Sequence, residues 1–154
     1  MEKIYAEGRA RAIGVSNFTV ETLQRLLDTA DVVPAVNQIE LHPQLAQRQL
    51  RAVHARYGIA TEAWSPLGSG KGLLELPELA DLAAKHGKTP AQVVLRWHLQ
   101  NGMIAIPKSV TPTRIAENFD VFGFALDETD LSVIDGLDSG RRLGPDPATF
   151  NWMG

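Results

Sequence analysis

Polar and aromatic side chains follow or end each of four short apolar segments that alternate with helical patterns. The four groups are Ser16-Asn17, Asn37-Gln38-Ile39-Glu40, Trp64-Ser65-Pro66-Leu67-Gly68 and Pro107-Lys108-Ser109. In proteins built from βα units, ligands bind at the carboxyl ends of the strands, which meet at one edge of the sheet. A turn or a helix cap would explain any one group by itself. Four groups at one edge favour a binding site.

The fourth group has the clearest chemical signature. Lys108 and Ser109 directly precede a helix whose first turn contains Thr111, Pro112 and Arg114. The start of a helix presents free N–H groups and a positive dipole end, so this arrangement favours phosphate. A pair of solvated surface cations is the alternative interpretation. No Gly-x-Gly-x-x-Gly or Walker sequence follows any strand, so a nucleotide here would not be held in the Rossmann manner.

Three other sets of residues have simpler explanations. Trp64 offers a flat face for stacking a ring, but a core tryptophan would look the same. The acidic residues Glu128 and Asp130 fit the first turn of a helix. The histidines are scattered without an i,i+4 pair or a carboxylate pattern, so we interpret them as structural or surface residues and expect no metal. They are His42, His54, His86 and His98.

The elements that must position these groups alternate between strand and helix. Strands are predicted at residues 10–15, 34–41, 59–64 and 103–106. Helix starts are predicted at the capping residues Thr19, Thr89, Thr111 and Asp127, with Thr111-Pro112 using the same cap chemistry as Thr89-Pro90. This alternation predicts an α/β fold with a parallel sheet. Four βα units fit an open four-stranded sheet and half of a closed barrel equally well.

Composition sets the broad class. The 154 residues are 44% apolar and 21% charged, which predicts a single globular domain over residues 1–154 with an irregular tail at 140–154. A net charge of −3 argues against a nucleic-acid partner. The sequence has neither a long apolar run nor a signal region, so we expect no membrane association and a cytoplasmic location. A complete eight-stranded barrel typically needs about 250 residues, so 154 residues are too few for one.

The sequence resembles the aldo-keto reductase superfamily over nearly its whole length and in the family's order. The motifs that carry the resemblance are Gly14-Val15-Ser16-Asn17-Phe18, Asn37-Gln38-Ile39-Glu40-Leu41-His42-Pro43, Trp64-Ser65-Pro66-Leu67-Gly68, and Ile106-Pro107-Lys108-Ser109 with Arg114, Glu117, Asn118 and Phe119. It is most similar to bacterial members of the 2,5-diketo-gluconate reductase type, in which the stacking ring is also often tryptophan. The resemblance implies a (β/α)8 TIM barrel that uses NADPH to reduce aldehydes and ketones to alcohols.

The resemblance also implies which residues hold NADPH. From the nicotinamide to the adenine, they are Ser16, Asn17 and Gln38 at the carboxamide, Trp64 stacked on the ring, Ser65, Leu67 and Ser69 along the pyrophosphate, Lys108, Ser109 and Arg114 at the adenosine 2′-phosphate, and Glu117 and Asn118 at the adenine end. In the intact family enzyme, the second ligand would be a small carbonyl substrate.

The catalytic residues depart from the family pattern. The family's Asp, Tyr, Lys and His tetrad comes from strands that precede Gly14-Val15. The two tyrosines, Tyr5 and Tyr57, are not predicted at strand carboxyl ends. The resemblance therefore implies strands five to eight, a C-terminal half barrel without catalytic residues, which we expect to be inactive alone. A non-catalytic nucleotide-binding or assembly module, and a truncated fragment without function, are the alternatives.

A half barrel has two unpaired strand edges, predicted here at the first and fourth strands, and an uncovered apolar face. Exposed edges favour pairing with another chain. The chain is therefore expected to close against a copy of itself, to pair with an N-terminal half barrel, or to stay poorly folded.

Overall fold

Four strands form one parallel sheet in the computed structural model, which describes residues 1–150. The strands are β1 (Val15–Ser16), β2 (Val36–Glu40), β3 (Ala60–Trp64) and β4 (Ile104–Ala105), in the order β1-β2-β3-β4. Every neighbouring pair is parallel. The predicted parallel sheet is confirmed, and β1 and β4 are its two edges within the described residues.

Helices connect and cover the strands. They are α1 (Glu2–Ala6), α2 (Val20–Leu27), α3 (Arg48–Tyr57), α4 (Pro77–His86), α5 (Pro90–Gln100), α6 (Pro112–Phe119) and α7 (Glu128–Asp135), with short 3-10 turns at Gly68–Gly70 and Leu73–Glu75. None of the helices in residues 1–150 combines the length and the apolar character needed to cross a bilayer.

All four predicted helix starts are confirmed, but at one of them, Thr111, the side chain does not cap the helix. Thr19, Thr89 and Asp127 each form a reciprocal capping box with the third residue of the helix. Thr111 makes no side-chain cap within the described residues. The ψ angle of Thr111 is 118°, compared with 174°, 155° and 175° at the other three caps, and the Thr111 N–H donates to the Ser109 hydroxyl at 3.3 Å. The start of α6 therefore keeps its N–H groups free of a side-chain cap.

The edge strands are shorter than predicted. β1 covers Val15–Ser16 instead of residues 10–15, and β4 covers Ile104–Ala105 instead of 103–106. Beside the missing part of β1 lies Pro34, which has no N–H to donate, and only the Ala35 N–H reaches back to the Ile13 carbonyl, at 2.8 Å.

The sheet is covered by helices on one face only. Ile39 and Ala63 point into the core that the helices form with Leu23, Val93 and other apolar residues. On the opposite face, β4 and the residues after it leave Ile104 and Ile106 46% and 45% exposed. This one-sided α/β arrangement of four βα units is half of a TIM barrel, as predicted.

The histidines need one correction. Two of them do contact carboxylates: His42 Nε2 lies 3.1 Å from Glu40, and His86 Nε2 lies 2.7 Å from Asp130. The His86 contact joins residues 44 positions apart, which no local pattern in the sequence shows. Asp130 also completes the cap of α7, as predicted.

Two other histidines are buried without a carboxylate. The His54 ring contacts the Asn37 amide at 3.0 Å and the Thr61 hydroxyl at 2.9 Å. The His98 ring contacts the Val94 carbonyl at 2.8 Å. Burial disfavours the charged imidazole and lowers the pKa of each ring to about 4.

These two rings predict a loss of stability in mild acid. Folding keeps both imidazoles neutral, so the stability they contribute is complete above their ordinary pKa of 6.5 and falls between pH 6.5 and about 4. The loss is roughly 3 kcal/mol for each histidine. Denaturant unfolding at several pH values should show this slope, and a His54→Gln, His98→Gln variant, whose side chains do not titrate, should lose it. A variant that keeps the full slope would contradict this assignment.

Candidate functional site

A cleft of about 810 Å³ lies at the carboxyl ends of β3 and β4. Its walls are the loop after β3, the start of α5, the segment after β4 and the exposed first turns of α6. The predicted cofactor residues that line it are Ser65, Leu67, Ser69, Lys108, Ser109, Arg114, Glu117 and Asn118. The structure thus brings together eight side chains that lie up to 53 positions apart in the sequence (Ser65 to Asn118).

One end of the cleft is cationic. Lys108 and Arg114 are exposed, and neither takes part in an ion pair within residues 1–150. They flank the start of α6, whose N–H groups have no side-chain cap. Two full charges and a positive dipole end can hold a phosphate group here. Within residues 1–150, no three His, Asp or Glu side chains lie close enough together to hold a metal ion.

The loop after β3 holds an unusual backbone conformation along the cleft. Ser65 and Ser69 both have a φ of 52°, in the left-handed region, and the Ser69 hydroxyl donates to the Ser65 oxygen at 2.7 Å. Gly68 lies between them, where a Cβ would come within 2.5 Å of Leu73. A left-handed conformation costs a non-glycine residue about 1–3 kcal/mol and tends to cluster at functional sites.

The remaining predicted residues contact one another beside this cleft. The Asn17 N–H and the Ser16 hydroxyl donate to the Gln38 carbonyl at 2.8 and 3.1 Å. The Trp64 indole N–H donates to the Asn17 side-chain oxygen at 2.8 Å. Asn17 is left-handed as well, with a φ of 58°. Trp64 directly precedes Ser65, so the two groups of predicted residues meet at this point of the chain.

Sequence reasoning missed two features beside the predicted residues. Glu62 accepts a hydrogen bond from the Gln38 side chain across β2 and β3. It lies two residues before Trp64 on the same face of β3, so strand alternation could have indicated it. The other feature is residues 142–144, where Gly144 lies against the Trp64 ring. No spacing in the sequence indicates that contact.

The one-sided βα sheet, with a cationic cleft at the carboxyl ends of its strands, defines an α/β protein of the barrel class. The pattern of the Aldo/keto reductase family matches residues 1–139, and the chain belongs to this family. The resemblance noted from the motifs is confirmed.

Two curated relatives support the same family assignment. The chain is 61% identical over 148 residues to an aldo-keto reductase of Mycolicibacterium smegmatis, covering 96% of this chain and 54% of the relative. It is 56% identical over 151 residues to the methylglyoxal reductase DkgA of Escherichia coli, covering 97% of this chain and 55% of DkgA. The chain therefore spans about half the length of these relatives.

Solved structures show the same extent of similarity. A variant of Gox0644 in complex with NADPH superposes with a TM-score of 0.93 at 52% identity, over 98% of this chain and 56% of Gox0644. MGS-M4, an aldo-keto reductase from a Medee basin deep-sea metagenome library, superposes with a TM-score of 0.95 at 40% identity, over 98% of this chain and 56% of MGS-M4.

Proposed function

We propose that this chain supplies the NADPH-binding half of an aldo/keto reductase barrel, which reduces aldehydes or ketones to alcohols. The observation that carries the proposal is the open cleft in which Lys108 and Arg114 flank the uncapped start of α6. The NADPH complex of Gox0644, a structure of the same fold at 52% identity, supports it.

In this proposal, each group of predicted residues binds a different part of NADPH. Lys108, Ser109 and Arg114 bind the adenosine 2′-phosphate, and Glu117 and Asn118 lie at the adenine. Ser65, Leu67 and Ser69, in the loop that contains the left-handed residues, would line the pyrophosphate. Ser16, Asn17 and Gln38 orient the carboxamide, and Trp64 stacks on the nicotinamide ring. NADPH supplies the hydride when bound.

The proton donor, in this proposal, comes from the first half of the barrel. Tyr57 ends α3 just before β3 begins, and Tyr5 lies in α1, whose Glu2 accepts a hydrogen bond from the Val32 N–H ahead of β2. Both therefore lie towards the amino ends of the strands, away from the cleft at the carboxyl ends. Small carbonyl compounds such as methylglyoxal are the proposed substrate class, in line with the name of the DkgA relative.

Titration of NADPH fluorescence against the chain tests the proposal. We expect saturable binding of one NADPH per chain and displacement of the bound NADPH by 2′,5′-ADP, which carries the adenosine 2′-phosphate without the nicotinamide. A folded chain that shows no saturable binding would overturn the proposal. If NADPH binds but a docked first half never supports turnover, the chain is a non-catalytic nucleotide-binding module.

The side of the molecule beside β4 fits a partner half barrel. Every residue of α6 is at least partly exposed, and Phe119 and Phe122 are 76% and 71% exposed. Together with Leu99, Ile106 and Ile115 they line an apolar groove of about 560 Å³ next to the edge strand. The missing first half of the relatives is the proposed occupant, because it would continue the sheet from this edge and cover these side chains.

Without that partner, we expect the isolated chain to associate with itself through the same groove. Light scattering should show a mass that rises with concentration, because exposed apolar surface and an unpaired edge favour association. Phe119→Asp with Phe122→Asp should shift the chain towards monomer. Phe150→Asp, at another exposed phenylalanine, is the matched control and should leave association unchanged. A wild-type chain that stays monomeric at high concentration would contradict this expectation.

A further inference from the structure

The carboxylate of Glu40 is buried at the end of β2 and bound by the tail. Glu40 is 1% exposed. Its two oxygens accept hydrogen bonds from the backbone N–H groups of Leu143 and Gly144, and the Arg142 guanidinium lies 3.9 Å away. A buried carboxylate is costly unless charge and hydrogen bonds compensate it. Residues 142–144 supply that compensation together with the His42 ring, whose Nε2 lies 3.1 Å from one Glu40 oxygen. Glu40 therefore fixes this part of the tail against the strand ends.

Gly144 is thereby held against the ring of Trp64. A Cβ on Gly144 would lie 2.6 Å from the Trp64 ring atom Cη2 and 3.3 Å from a Glu40 oxygen. Glu40 and Trp64 are paired positions on β2 and β3, so the tail crosses both strand ends. The carbonyl of Leu143 also accepts a hydrogen bond from Lys71, in the loop after β3, at 2.7 Å.

The opposite end of the Trp64 ring is held by Asn17. Its indole N–H donates to the Asn17 side-chain oxygen at 2.8 Å, while the far edge of the ring contacts Gly144. The ring is therefore restrained at both ends by groups from different parts of the chain. Restraining a stacking surface before the ligand arrives reduces the entropy lost on binding.

We propose that Glu40 is a positioning residue, which acts through Gly144 to set the orientation of Trp64 for stacking on the nicotinamide. The inference rests on the proposed function, since it assumes that Trp64 meets the cofactor. It adds that the tail, through a buried carboxylate, determines how well the nicotinamide end of NADPH is bound.

Two substitutions disturb the contact from opposite sides. Gly144→Ala keeps Glu40 and adds a methyl group where the Trp64 ring lies. Glu40→Gln keeps the size of the side chain but replaces one acceptor oxygen with a donor, so one of the two tail N–H groups loses its partner. Gly123→Ala is the matched control, because a Cβ on Gly123 meets nothing within 4 Å.

The first measurement needs no cofactor. The indole N–H signals of the protein, assigned by Trp64→Phe, report the Trp64–Asn17 hydrogen bond in a nitrogen–proton NMR spectrum. We expect Gly144→Ala and Glu40→Gln to move the Trp64 signal and to leave that of the fully buried Trp97 in place. Gly123→Ala should move neither signal. An unmoved Trp64 signal in both variants would overturn the proposal.

The second measurement separates the two ends of the cofactor. Losing a stacked ring weakens binding by roughly 5- to 150-fold, so a misplaced ring should weaken NADPH by roughly 3- to 10-fold. Binding of 2′,5′-ADP should be unchanged in both variants. Equal weakening of NADPH and 2′,5′-ADP would assign the tail a purely structural role and overturn the inference. A wild-type chain that binds neither ligand would overturn the proposed function itself.

Discussion

Replacing Arg114 with alanine should weaken NADPH binding by about ten- to a hundredfold and leave NADH binding nearly unchanged. The two cofactors differ only in the 2′-phosphate, so a preference must come from groups that touch it. A hydrogen bond to a charged group contributes roughly 1.5–3 kcal/mol, and each 1.4 kcal/mol is about tenfold in affinity. Arg114 is exposed, which places the effect towards the lower end. Fluorescence titration of NADPH and NADH against the wild type and Arg114→Ala measures the two changes in affinity.

The matched control for Arg114 is Arg25. It is an exposed arginine on α2, a helix of the same length as α6 but outside the cleft. Arg25→Ala should bind both cofactors as the wild type does. Trp64→Ala should weaken NADPH and NADH alike, because both carry the same nicotinamide. If Arg114→Ala weakened NADH as much as NADPH, Arg114 would be a structural surface cation and the phosphate assignment would be wrong.

The isolated chain should show no carbonyl reductase activity, and a first half barrel from a relative should restore it. General acid–base catalysis typically contributes about 10²–10⁴-fold, and the orienting groups would be absent as well. NADPH consumption with methylglyoxal measures the rate. Turnover at ordinary enzyme rates by the pure chain would contradict the assignment of the proton donor to the first half.

A variant of the apolar groove beside β4 is the control for the restored activity. The Phe119→Asp, Phe122→Asp variant keeps Lys108, Ser109 and Arg114 and should still bind 2′,5′-ADP. It should fail to recover activity when the first half is added, because the apolar groove beside β4 is lost. Recovery equal to that of the wild type would show that the halves join elsewhere.

The sequence carried enough information for the fold because the signals are local. Thr19, Thr89 and Asp127 each cap a helix with a partner three residues away, and Gly58 and Gly87 end α3 and α4 in the left-handed conformation. Alternation between such helices and short apolar runs is sufficient to predict a parallel sheet. Thr111 begins its helix as predicted, but its ψ of 118° differs from the 174°, 155° and 175° of the three capping residues, and its side chain makes no cap.

Only those site residues that lie at the ends of strands could be predicted from the sequence. Lys108, Ser109 and Arg114 are neighbours in sequence, so their charge was visible without a structure. Gly144 contacts Trp64, which is 80 positions earlier in the sequence, and donates a hydrogen bond to Glu40, which is 104 positions earlier. Whether a Gly- and Pro-rich tail lies on a surface or holds a buried carboxylate depends on its tertiary path, which no local pattern specifies.

Backbone NMR of the wild-type chain can map where 2′,5′-ADP binds and so tests directly whether the cleft holds the cofactor. The largest shift changes should fall on Lys108, Ser109 and the first turn of α6, with smaller ones along Ser65–Ser69. NADPH should add changes at Asn17, Gln38 and the Trp64 indole. Changes confined to another surface, or no saturable change in the folded chain, would contradict the claim that this cleft holds the cofactor.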